Sequence, residues 1–185
     1  MKCPADMPGI MEEPLMTLLI IVLRVIHIFS GVIWFGAAYV NVFFLQPTVQ
    51  ATGAEGQKVI QYLTQHTRFT ITIYTSATLT LLSGIILYGI LFGFRPAVLS
   101  SGYGLWISIG GLTGLIAWFV VMFVVRGITG RMQAIGGAIQ SQGTPLSADQ
   151  TEQLKSLSIR LVRMGRYGLV FLTIALMGMA IAQYT

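Results

Sequence analysis

An arginine and a histidine lie inside the longest apolar run of the chain, which reaches from Leu15 to Leu45. A neutral imidazole is a common ligand of haem iron and of copper, and a guanidinium matches the shape of a carboxylate such as a haem propionate. Helical spacing of 3.6 residues per turn places six residues on one stripe, of which the first four are the site candidates: Arg24, His27, Gly31, Trp34, Ala38 and Asn41. Because polar groups at membrane depth usually mark a functional site, this stripe is a candidate cofactor site.

The composition predicts an integral membrane protein. Hydrophobic residues make up 55% of the 185-residue chain and charged residues only 9%, whereas a soluble domain carries about a quarter charged residues. Four apolar stretches are each about as long as, or longer than, the roughly 20 residues that a helix needs to cross the hydrocarbon: about residues 20–45, 69–94, 103–125 and 161–183. We therefore expect an all-α fold, a single membrane domain built as a four-helix bundle.

Basic residues are distributed unevenly between the two ends of the predicted spans. Both termini and the loop at residues 94–103 share one side, which holds only Lys2 and Arg95. The other side holds eight basic residues: Lys58, Arg68, Arg126, Arg131, Lys155, Arg160, Arg163 and Arg166. This asymmetry predicts that both termini face outward, in a bacterial inner (cytoplasmic) membrane. Since the basic residues flank spans, we expect them to contact membrane lipid and not nucleic acid.

Most catalytic patterns are missing from the sequence. The predicted spans contain no acidic residue, and the chain has no zinc-type Cys/His spacing and no glycine-rich phosphate loop. Ion transport through intramembrane carboxylates is therefore disfavoured, and no enzymatic activity is assigned. His27 remains, either as a cofactor ligand or as a histidine satisfied by a serine or a backbone carbonyl.

A second ligand for a cofactor at His27 is harder to place. If the first two spans form a hairpin that turns near residue 54, His66 lies roughly 22 Å from His27 along the helix axis. Met177 and Met179 of the last span lie near the depth of His27, and histidine with methionine is an axial pair for haem that also suits copper. Ordinary packing is the alternative for both methionines. Further sulfur side chains of the type that selects Cu(I) cluster near the amino terminus, although a role without copper is the favoured interpretation: Cys3, Met7, Met11 and Met16.

Turn and cap residues divide the chain between the spans. Gln46-Pro47 predicts a stop and Thr52-Gly53 a turn, followed by a short amphipathic helix over residues 55–68. The glycines and polar residues from Gly136 to Pro145 predict a break and the most mobile internal segment. Ser147 with Gln150 has the capping-box spacing that starts a helix.

Small and hydroxylated residues indicate how the spans pack. Gly110 and Gly114 of the third span form a small-xxx-small pair, which lets a neighbouring helix or a flat cofactor approach closely. The second span is rich in serine and threonine. We interpret these hydroxyls as helix-packing contacts and not as an ion path.

Residues 24 to 36 also carry a family resemblance. His27 with Trp34-Phe35-Gly36 in the first of four spans, arginines entering the second and fourth, and a glycine-rich third span resemble the copper-resistance protein D group. They are also similar to the related bacterial four-helix membrane protoporphyrinogen oxidase. The resemblance implies handling of b-type haem or copper, with His27 as the ligand. The oxidase's further basic residue inside a later span has no counterpart here, so the resemblance is not extended to its enzymatic activity.

Two functions follow from these residues. In the first, the protein binds haem b, or alternatively copper, at His27 for electron transfer or for metal and haem handling, with Met177 or His66 as the second metal ligand. Arg24 then pairs with a propionate, Gly31 leaves room for the macrocycle and Trp34 forms its floor. In the second, the chain is an accessory subunit of a larger respiratory or photosynthetic complex, without its own cofactor. Its small-residue faces then dock partner membrane subunits or a second copy.

Overall fold

The computed structural model describes residues 12–142 and 147–185. Its regular structure over these two ranges is entirely helical. Seven α-helices follow one another: α1 Glu12–Val40, α2 Gln46–Thr52, α3 Ala54–His66, α4 Phe69–Phe92, α5 Gly102–Phe119, α6 Arg126–Gln142 and α7 Ala148–Ala182. Three shorter helical segments connect them: the π-helical Asn41–Leu45 and Val120–Val125, and the 3-10 turn Pro96–Ser100.

Four continuous helical rods are each long and apolar enough to cross a membrane: Glu13–Thr52, Phe69–Phe92, Gly102–Gly136 and Ala148–Ala182. The predicted all-α bundle of four long apolar helices is therefore confirmed. Three of the rods extend well beyond the predicted spans, since the first runs on to Thr52, the third to Gly136 and the fourth begins at Ala148. The direction in which the termini face stays a prediction.

The first rod does not stop at Gln46-Pro47, where the sequence predicts an end. The Gln46 backbone N–H donates to the carbonyl of Asn41, five residues back, which is the π-helical register. Pro47 then occupies the first turn of α2, a position that tolerates a residue without a backbone N–H. The helix thus accommodates the proline by a one-residue expansion. The chain leaves the helix only at Gly53, whose φ of +59° favours glycine.

The bundle consists of two helix pairs, because α1 packs mainly on α4 and α5 mainly on α7. Trp34 of α1, only 2% exposed, lies where the pairs meet. It forms the buried core with Ala77 of α4, Ala117 of α5 and Leu172 of α7. Most other large apolar side chains of the four rods are exposed. Such a surface suits lipid and not water.

The connection between the third and fourth rods differs in part from its prediction. α6 continues through Gly136-Gly137 to Gln142, so the predicted break does not occur at the two glycines. Residues 143–146, the remainder of the predicted mobile linker, lie outside the described residues. The start of α7 is as predicted, since the side chains of Ser147 and Gln150 bond reciprocally to each other's backbone N–H in a capping box.

Candidate cofactor site at His27

His27 lies in the interface between α1 and α4, and both described hydrogen-bond partners of its ring belong to α4. Nδ1 is 2.8 Å from the backbone carbonyl oxygen of Thr80 and 3.3 Å from the hydroxyl oxygen of Ser83. A carbonyl can only accept, and the Ser83 hydroxyl donates to the carbonyl of Leu79 at 2.6 Å. Nδ1 must therefore carry the proton and donate it to α4.

This bond determines what the other ring nitrogen can do. With the proton on Nδ1, Nε2 of the neutral imidazole holds a free lone pair. Nε2 has no hydrogen-bond partner in the described part of the chain. Histidines that ligate a metal usually donate their second ring N–H to a carbonyl or carboxylate in this way, which fixes the tautomer and raises the basicity of the ligating nitrogen.

Gly84 makes the close approach of the ring to α4 feasible. A Cβ atom added at this glycine would lie 2.8 Å from Cε1 of His27 and 3.2 Å from Nδ1. Any other residue would push the imidazole away from the Thr80 carbonyl. Gly84, Thr80 and Ser83 were not predicted as site residues, although Ser83-Gly84 is a pair of small residues inside an otherwise bulky stretch of α4.

A chain of hydroxyls continues the α1–α4 contact one turn further along the helices. Ser30, 5% exposed, donates to the carbonyl of Ile26 at 2.6 Å. The Thr80 hydroxyl donates to Ser30 Oγ at 2.8 Å. Beside it, a Cβ added at Gly31 would lie 3.6 Å from the Thr80 methyl group, so Thr80 fills the space at this glycine. The interpretation of these hydroxyls as packing contacts therefore agrees with the structure.

Two other predicted site residues, Arg24 and Trp34, lie in different surroundings. Arg24 is exposed on α1, about one turn from His27. Among the described side chains it has no carboxylate within 4.0 Å, since the ion pair found there joins Lys58 to Glu55. Trp34 is buried in the core between the two helix pairs, and its indole N–H has no described partner. Packing accounts for both Trp34 and Gly31, whereas Arg24 is free to pair with an anion.

No described hydrogen bond joins the His27 ring to either proposed second ligand, Met177 or His66, and both of these side chains are exposed. Met177 of α7 is 59% exposed and faces the surroundings of the bundle. His66, at the end of α3, is exposed and stacks on the Tyr62 ring, with centroids 5.0 Å apart. The residues from Phe69 to Ser83 in α4 alone separate it from the level of His27 by roughly 21 Å. Of these three side chains, His27 is thus the one whose ring is held in a fixed tautomer by a described hydrogen bond.

The donor set also bears on which cofactor fits. Within residues 12–142 and 147–185, no group of three or more His, Cys, Asp or Glu side chains is placed to hold a metal ion. Cys3, Met7 and Met11 lie outside the described residues, and Met16 is exposed on α1. A copper ion needs several protein ligands, whereas a porphyrin supplies four of its own and requires one axial imidazole. A single imidazole is therefore compatible with the haem alternative, whereas the copper alternative needs further protein ligands beside His27.

Comparison of the chain with protein-family models, with curated proteins and with solved structures finds no match in any of the three. The resemblance carried by residues 24 to 36 accordingly stays an expectation. The function rests on the geometry around His27.

Proposed function

We propose that this protein is an integral membrane haem protein in which Nε2 of His27 is the axial ligand of a b-type haem. The observation that carries this proposal is the 2.8 Å bond from Nδ1 to the Thr80 carbonyl, which leaves Nε2 with an unused lone pair on an apolar helix, beside its interface with α4. An unmet polar atom at that depth costs several kcal/mol, whereas coordination satisfies it. When bound, haem supplies a reversible one-electron couple, so electron transfer or haem handling is the function.

The protein's own residues then have distinct tasks. The Thr80 carbonyl and Gly84 orient the imidazole and fix its tautomer. Arg24, exposed one turn away, is shaped to pair with a propionate in two parallel hydrogen bonds. Gly31 and Trp34 act indirectly, because their packing against α4 and the core holds α1 at the distance that the His27 bond requires.

The proposal also includes the type of membrane and the orientation of the protein in it. The resemblance of residues 24 to 36 to the copper-resistance protein D group supports haem or copper handling at His27. The eight basic residues at one end of the predicted spans support a bacterial inner membrane with both termini outside. In that orientation His27 lies in the outer half of the bilayer.

The test compares wild type with His27→Ala after growth with a haem precursor and, separately, with copper. We expect a Soret band and near-stoichiometric haem in detergent-purified wild type, and loss of both in the variant. His66→Ala is the matched control, because it removes the other imidazole far from the site and is expected to keep the wild-type spectrum.

Three results would overturn the proposal in different ways. Full haem content and an unchanged spectrum in His27→Ala would move the ligand elsewhere. Copper without haem in the wild type would replace the porphyrin by a metal ion. A colourless, metal-free wild type that copurifies with other membrane proteins would favour an accessory subunit of a larger complex.

A further inference from the structure

A groove opens between α2 and α7, at the end of the bundle that carries the eight basic residues and away from the level of His27. It has a volume of about 450 Å³, and its polar lining comes from Gln50 of α2 and from Ser158, Arg163, Arg166 and Tyr167 of α7. Arg166 also borders an adjoining slot of about 340 Å³. The walls of that slot are otherwise apolar: Val42, Phe43, Pro47, Leu169 and Val170.

The shape of this surface follows from two local features. The π-helical segment Asn41–Leu45 widens the first rod by one residue just before Pro47. Opposite it, Gly165 of α7 has no side chain, and a Cβ there would lie 3.2 Å from the side-chain nitrogen of Gln46. Gln46 thus fills the gap at Gly165, and the residues on either side of this contact are left to line the groove and the slot.

The charges at the groove have no partner within the described protein. Arg163 and Arg166 are exposed, and no carboxylate of the described residues lies within 4.0 Å of either guanidinium. They are the last charged residues of α7, since Tyr167–Gln183 is uncharged and mostly apolar. The two arginines therefore stand where the charged part of α7 meets its apolar part, at the level expected for phospholipid headgroups.

We propose that this surface binds one anionic phospholipid. The headgroup phosphate and its negative charge lie against Arg163 and Arg166, with the Gln50 amide as a further donor. One acyl chain lies in the slot beside Leu169 and Val170. A soluble phosphate would satisfy the arginines but would leave the adjoining apolar slot unused, and for that reason the lipid is the occupant. This site is independent of haem binding at His27.

The experiment adds dioleoyl phosphatidylglycerol to delipidated full-length protein in a mild detergent and counts bound lipids by native mass spectrometry. We expect saturable binding of one lipid to wild type, and an affinity lower by roughly tenfold or more in Arg163→Gln/Arg166→Gln. The matched control is Arg131→Gln/Arg160→Gln, which removes two exposed charges that do not line the groove and is expected to bind within about twofold of wild type.

Further arms distinguish a lipid held in the groove and slot from general charge attraction and from a phosphate site. Dioleoyl phosphatidylcholine is expected to bind more weakly than phosphatidylglycerol, and inorganic phosphate is expected not to displace the lipid. If Arg163→Gln/Arg166→Gln does not fold, Val170→Trp fills the slot with both charges kept and is expected to weaken lipid binding. Equal losses in the two double variants, equal binding of the two lipids, displacement by phosphate, or full binding in Val170→Trp would each overturn the proposal.

Discussion

The two helix pairs of the bundle are held together by different chemistry. Between α1 and α4 the apolar packing of Trp34 on Ala77 is joined by polar contacts: the His27 ring bonds to the Thr80 carbonyl, and the Thr80 hydroxyl bonds to Ser30. Between α5 and α7 the contacts are steric, because Gly110 and Gly178 bring the two backbones together. Hydrogen bonds inside membranes contribute little on average, so we infer that α5–α7 contributes more to the stability of the bundle, whereas α1–α4 orients the His27 ring.

The largest loss of stability is expected when a side chain is introduced between α5 and α7. A Cβ at Gly110 would lie 3.1 Å from the carbonyl oxygen of Ala175 and 3.5 Å from the backbone nitrogen of Met179, so a Leu side chain meets the backbone of α7. We expect Gly110→Leu to lower the free energy of unfolding by about 3 kcal/mol. The unfolding midpoint in a titration of dodecyl sulfate into mild detergent measures this loss.

The neighbouring glycine provides a control on the same helix. A Cβ at Gly111 has no heavy atom within 4 Å, and the residue is exposed. Gly111→Leu is therefore expected to unfold at the wild-type midpoint or above it. Equal destabilisation by both substitutions would mean that the loss of helix flexibility, and not the α5–α7 contact, decides stability.

The steric contact between α5 and α7 could be predicted from the sequence, whereas the polar contact between α1 and α4 could be predicted only in part. The small-xxx-small spacing of Gly110 and Gly114 predicted a close approach of another helix, and Gly110 has one, with α7. A hairpin turning near residue 54 reflects His27 onto residue 81, within the observed stretch Thr80–Gly84. The register was thus available from the turn, but which atom of α4 meets the ring depends on helix rotation, which no local pattern encodes.

The groove between α2 and α7 could not be predicted from the sequence. Gln46-Pro47 has the local chemistry of a helix stop, and the prediction of a stop was wrong because the π-helical turn accommodates the proline. That expansion leaves Gln46 opposite Gly165, more than a hundred residues later in the chain. Arg163 and Arg166 were recognised in the sequence as topology signals, but their position beside an apolar slot follows only from the packed structure.

A second substitution tests whether α1–α4 serves the site more than the fold. In Gly84→Ala the new methyl group would lie 2.8 Å from Cε1 of His27, so the ring must move away from the Thr80 carbonyl. Because loss of the group that orients a ligand weakens metal binding, haem affinity is expected to fall by roughly tenfold or more. Haem titration followed by the Soret band measures this change, and the midpoint in dodecyl sulfate is expected to stay close to wild type.

Gly31→Ala is the matched control for Gly84→Ala. It places the same methyl group in the same interface, but 3.6 Å from the Thr80 methyl, which is an ordinary contact. Wild-type haem affinity is expected in this variant. If Gly31→Ala loses haem and Gly84→Ala keeps it, the macrocycle lies against Gly31 as the sequence alone predicts, and the orienting role of Thr80 is contradicted.

The smallest effect is expected from the hydroxyl of Thr80, even though it bridges the two helices. Thr80→Val keeps the shape of the side chain and the backbone carbonyl that accepts from His27, and it removes the bond to Ser30 together with the intrahelical bond to the Ser76 carbonyl. Ser30 still donates to the Ile26 carbonyl, so no polar hydrogen is left without a partner. The loss of unfolding free energy is expected to be about 0.6 kcal/mol, the average for a hydrogen bond between membrane helices.

Thr75→Val is the control, because that exposed hydroxyl bonds only within its own helix, and it is expected to unfold at the wild-type midpoint. A loss of about 2 kcal/mol or more in Thr80→Val, measured in the same titration, would show that polar contacts stabilise the α1–α4 pair, and the division of roles between the two pairs would then fail.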